Sequence, residues 1–91
     1  MILTPKELLN WIKAGKTFSV VDLRPKQLKS KDRLLGMQGR LSNANTIPAG
    51  NNNLVLICQF GILTEGLILE KGLINTYSLL GGADAWNHFY K

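Results

Sequence analysis

The 91-residue sequence predicts an α/β fold: a small, mainly parallel β-sheet flanked by helices on both faces. Three observations carry that expectation. Runs at 18–23 and 54–58 lack the polar alternation of a half-exposed strand and read as buried strands, and 76–80 reads as a third strand. Segments of helical period lie at 5–14, at 62–71 and after Gly82. The two patterns alternate along the chain, as they do when helical crossovers connect parallel strands. Hydrophobic residues make up 45% of the chain and charged residues 19%, a balance that can build one modest core, so a single domain over 1–91 is expected.

Each element has its own local signal. Thr4 is a helix N-cap, Pro5 suits the first helical position, and Glu7 stands where a capping box needs its acid. Leu3 and Leu8 are spaced as a hydrophobic staple, and Gly15 stops the helix. The strand at 18–23 ends with Asp22 near its carboxyl end. The stretch 24–39 carries Pro25, several lysines and scattered leucines, and reads as a short helix followed by a loop. Residues 45–48 suggest a very short strand, and 49–53 a polar turn. After the strand at 54–58, the helix at 62–71 carries apolar residues around much of its circumference and is expected to be well buried. Gly66 in its interior suggests close backbone packing, and Gly72 is a natural C-cap. Gly81 and Gly82 turn the third strand into a last helix holding Ala85, Trp86 and Phe89.

Composition excludes several classes of protein. No apolar run approaches the roughly 20 residues that span a bilayer, and the N-terminus lacks the pattern of a secretory signal, so a cytoplasmic protein with no membrane partner is expected. One cysteine cannot form an internal disulfide, and one cysteine with one histidine makes a protein metal site implausible. Eleven basic against six acidic residues give a net charge of +5, with much of the excess between Arg24 and Arg40. That run reads either as a solvated face or as a docking surface for an acidic partner. Nucleic acid is disfavoured because no aromatic residues interleave the basic ones. His88, Trp11 and Trp86 read as surface or packing residues.

Residues 54–64 are the stretch that suggests chemistry. An apolar strand delivers Cys58 to a short turn, and a helix begins immediately afterwards. A sulfur held there lies near free backbone N–H groups and the positive end of a helix, which favour the thiolate. Gly61 permits the tight turn, and the Thr64 hydroxyl can reach the sulfur or the loop backbone. The competing reading is an inert buried cysteine.

These pieces resemble the rhodanese-like domain family. The resemblance spans nearly the whole chain, through Val21, Asp22, Leu23 and Arg24, the segment 45–48, the loop 56–64, and a closing motif of Leu80, Gly81, Gly82, Ala85 and Trp86. The first helix also resembles members fused behind adenylating enzymes of molybdenum-cofactor and thiamine biosynthesis. The family resemblance implies a sulfurtransferase needing no cofactor. Cys58 takes sulfane sulfur from a donor, carries it as a persulfide and passes it to an acceptor protein or thiol. It further implies a loop of Gln59, Phe60, Gly61, Ile62, Leu63 and Thr64 around the sulfur, with Asp22 as a structural acid and Arg24 at the active-site edge.

The sequence also departs from the family. Thiosulfate-using members commonly carry arginine where this chain has Gln59 and Leu63, and neither residue can replace arginine's charge and donor fork. Low thiosulfate activity is therefore expected, with sulfur arriving from a protein such as a cysteine desulfurase. The alternative is a catalytically weakened binding or regulatory module. The related phosphatases need a longer loop ending in arginine, which disfavours phosphate chemistry. The segment between Pro48 and Leu54 is shorter than usual, so a helix common there is expected to be missing. The start at a helix cap and the end just past the last motif would suit an excised terminal domain.

Overall fold

A computed structural model describes residues 1–37, 39–41 and 53–90. In chain order the elements are β1 (Ile2–Leu3), α1 (Pro5–Lys13), β2 (Phe18–Asp22), α2 (Lys26–Lys31), β3 (Asn53–Ile57), α3 (Ile62–Lys71), β4 (Thr76–Leu79) and α4 (Gly82–Tyr90). Four strands form one sheet in the order β1-β4-β3-β2, and every neighbouring pair is parallel. The short strand expected at 45–48 and the missing helix before Leu54 lie outside the described residues.

β3 shows why the strands lack alternation. Val55 and Ile57 join a core with Leu3, Leu8, Val20, Leu79 and Trp86, to which α1 and α4 contribute. Leu54 and Leu56 point the other way, into a second cluster with Val21 and Ile68, under α3. Successive side chains of a strand face opposite ways, so a strand covered on both faces must be apolar at every position. Each of these buried side chains contributes roughly 1.5–3 kcal/mol through removal from water.

α1 begins as its sequence dictates. The Glu7 N–H donates to the Thr4 hydroxyl at 3.1 Å while the Thr4 N–H donates to the Glu7 carboxylate at 3.0 Å. β1 was not foreseen, because two residues are too short to show a period. Its Met1 and Leu3 carbonyls accept from the N–H groups of Ser78 and Leu80, fastening the N-terminus to the edge of the sheet.

Two expectations about α3 are corrected. Only Thr64 and Ile68 are buried, whereas Ile62, Leu63 and Leu69 are each more than three-quarters exposed. One face of the helix meets the sheet and no further layer covers the other among the described residues. Gly66 also does not serve close packing: a Cβ built on it meets no atom within 4 Å. Nothing within the described residues offsets the ~1 kcal/mol that a helix-interior glycine costs.

Candidate functional site

Cys58 follows the last residue of β3, at the carboxyl end of a parallel strand, where open α/β sheets place their ligand sites. The residue is only 5% exposed. Its sulfur accepts a hydrogen bond from the Gly61 N–H at 3.2 Å and lies 3.7 Å from the Thr64 hydroxyl. Burial pushes the thiol's pKa up, but the Thr64 N–H and hydroxyl, with the N–H groups of Gly61 and Leu63, outweigh it and hold the pKa below its ordinary value.

The loop keeps this shape because its other face is fixed. The Cys58 and Gln59 carbonyls accept from the N–H groups of Ala83 at 2.8 Å and Asp84 at 3.1 Å, in the first turn of α4. The free N–H groups of one helix thus hold the loop's carbonyls outward, while N–H groups of the loop and of α3 turn toward the sulfur. Only glycine allows so close an approach. A Cβ on Gly82 would lie 2.3 Å from the Cys58 carbonyl oxygen, and one on Gly61 would lie 2.8 Å from the Leu79 oxygen. Gly61 also adopts φ 85°, a left-handed conformation that disfavours a side chain.

Ser78 is the site residue that sequence reasoning missed. It sits buried on β4 with its hydroxyl against that of Thr64, and both hydroxyls reach the Gly61 carbonyl at 3.3 Å. The sequence offered no clear signal, because Thr76 and Tyr77 precede Ser78 in the same strand and its polarity does not stand out.

Among the described residues, Asp22 and Arg24 make no hydrogen bond to the Cys58 sulfur, although Asp22 pairs with Ile57 just before it. The Arg24 guanidinium donates to the Asp22 carboxylate from Nε at 3.0 Å and from Nη2 at 2.9 Å, and to the Asp32 carbonyl at 2.7 Å. Its side chain is 1% exposed. The arginine expected at the active-site edge is thus a buried cation whose donors are taken up by Asp22 and Asp32, across the turn after β2. The loop's other side chains project outward, with Phe60 63% exposed and Ile62 and Leu63 each 77% exposed. Gln59 is half-buried, and no hydrogen-bond partner for its Oε1 is found among the described residues.

No protein-family model matches the sequence, and no curated protein matches it. Solved structures do. A rhodanese-like domain protein from Staphylococcus aureus is 24% identical, with 94% of this chain and 91% of that one aligned at a TM-score of 0.71. A rhodanese-related protein from Thermoplasma volcanium is 18% identical over 97% of this chain and 91% of that one, at a TM-score of 0.67. A protein of unknown function from Rhodopseudomonas palustris, described as a possible tyrosine phosphatase, is 20% identical over 98% of this chain and 80% of that one, at a TM-score of 0.73. The chain therefore has the rhodanese-like α/β fold.

Proposed function

We propose that the protein is a sulfurtransferase whose Cys58 carries sulfane sulfur as a persulfide within a sulfur relay. The observation that supports this reading is the set of donors on one sulfur: the Gly61 N–H at 3.2 Å, the Thr64 hydroxyl at 3.7 Å, and the pKa held low by these and the neighbouring amides. In the first step the Cys58 thiolate attacks the outer sulfur of a donor persulfide. A new S–S bond forms at Cys58 as the donor's S–S bond breaks, and the donor leaves as a thiolate. An acceptor thiolate then attacks the outer sulfur of the Cys58 persulfide and releases the Cys58 thiolate. No net oxidation occurs and no cofactor is required. The amide cradle stabilises negative charge on the sulfur in both steps.

The donor in this reading is a protein, such as a cysteine desulfurase, rather than thiosulfate. Residues 59–64 contain no cation to bind a small dianion, and the exposed side chains of Phe60, Ile62 and Leu63 form an apolar rim suited to a protein surface. The same cation-free loop argues against the phosphatase chemistry suggested for the Rhodopseudomonas protein, because a phosphate dianion is ordinarily held by arginine. The missing cations also support a second reading, a binding or regulatory module that has lost catalysis.

Incubation with a cysteine desulfurase and cysteine, followed by intact-mass measurement, tests the proposal. The expected result is a gain of one sulfur atom that disappears in Cys58→Ala. No gain, or one that survives the substitution, overturns it in favour of the module.

A further inference from the structure

We propose that the exposed face of α3 is the docking groove for the protein that exchanges sulfur with Cys58. Its occupant is a segment carrying a bulky apolar side chain, seated over Gly66, and a lysine or arginine about one helical turn away, against Glu70. The groove has a cavity volume of about 410 Å³ and is lined by Leu23, Ile62, Leu63, Gly66, Leu67 and Glu70.

Four observations carry this. Gly66 opens the floor of the groove, and nothing among the described residues fills the space a side chain would take. A glycine in a helix interior disfavours the helix, so its use here makes physical sense if the space is filled from outside. The walls are unusually apolar for a solvated surface, since Ile62 and Leu63 are each 77% exposed. The groove is continuous with the reactive site: Gly61, whose N–H donates to the Cys58 sulfur at 3.2 Å, immediately precedes Ile62 and Leu63, which line the groove. Glu70 is the groove's only charged lining residue and forms no ion pair among the described residues. Glu65, also on α3, is exposed as well. In a chain of net charge +5, this acidic, apolar wall is complementary to a cation beside an apolar group.

The groove's chemistry stands on these observations alone, whereas the identity of its occupant rests on the sulfurtransferase reading. The experiment therefore has two arms. In the first, a random dodecapeptide library is selected on the immobilised protein and the enriched peptides are titrated by fluorescence anisotropy. The expected peptides share an apolar residue three or four positions from a lysine or arginine. Gly66→Leu, which fills the groove, should weaken them by about tenfold or more, and Glu70→Lys several-fold. Gly66→Ala, which leaves most of the space, should keep binding within about twofold and control for folding. No enrichment, peptides without the cation, or binding unaffected by Gly66→Leu overturns the proposal. A concentration-dependent dimer abolished by Gly66→Leu overturns it too, by giving the groove to a second copy of this chain.

In the second arm, wild type and Gly66→Leu are loaded either from a persulfidated cysteine desulfurase or from glutathione persulfide. Loading from the protein should fall about tenfold in Gly66→Leu while loading from the small donor stays the same. Equal loss with both donors, or loss with neither, overturns the partner assignment. If wild type loads from neither donor, the sulfurtransferase reading fails, and the peptide arm alone decides the groove.

Discussion

At the scale of single residues, the Cys58 sulfur is served by the Thr64 hydroxyl, backed by that of Ser78, as well as by amides. Amides only donate, whereas hydroxyls can turn around. With a protonated thiol, the Thr64 oxygen can accept from the sulfur and donate its own O–H to Ser78 or to the Gly61 carbonyl. With a thiolate or persulfide, Ser78 can satisfy the Gly61 carbonyl and free the Thr64 proton for the sulfur. Thr64→Val removes the hydroxyl but keeps the N–H and nearly the same volume. Its pH profile for alkylation by iodoacetamide is expected to shift toward that of an ordinary thiol, and its rate near neutrality to fall roughly tenfold. Ser78→Ala should move the profile the same way by less. An unchanged profile in Thr64→Val would mean that the amides alone depress the thiol. Cys58 and Thr64 were legible in the sequence because the strand-turn-helix pattern gives their positions. Ser78 was not, because its contact crosses from β4 to α3 and no local period records it.

At the scale of elements, glycines near the site serve opposite ends. Gly82 lets the first turn of α4 press onto the Cys58 loop, with no room for even a methyl group. Gly82→Ala should cost about 3 kcal/mol or more, since both the close contact and the left-handed φ of 63° resist a side chain. Gly66 lies in the open interior of α3, and Gly66→Ala should stabilise the fold by about 0.5–1 kcal/mol. Denaturant unfolding of the two variants side by side checks the contrast. If both destabilise alike, Gly66 is packed after all. The closing motif was legible as a turn and a helix, but its role as a brace for the Cys58 and Gln59 carbonyls required the two segments to be brought face to face.

At the scale of the whole molecule, a polar network ties the segment after β2 to α4. Arg24 joins Asp22 to Asp32, and Asn87 donates to the Asp32 carboxylate and the Arg33 carbonyl, each at 2.9 Å, while accepting from the Leu35 N–H at 3.1 Å. The buried Trp86 indole N–H adds a bond to the Leu35 carbonyl at 2.7 Å. The basic run thus contains one arginine that is internal and structural, while its lysines stay on the surface. Asn87→Ala strands several of these groups and should lower stability by about 1–3 kcal/mol. It should leave the Cys58 alkylation rate unchanged in the folded protein, because no member of the network donates to the sulfur. A slower alkylation would instead place the network in the site.

The sequence by itself determined the alternation of helices and doubly buried strands, the capping of α1, and the delivery of the only cysteine to a turn before a helix. These depend on neighbours within a few positions, and local sterics, caps and periodicity express them directly. The tertiary structure alone decided that Arg24 is internal, that Ser78 stands behind Thr64, and that α3 leaves one apolar face bare. Each depends on which elements lie against which among the described residues. A helix apolar around its circumference reads as buried until the packing shows no layer left among the described residues to cover it.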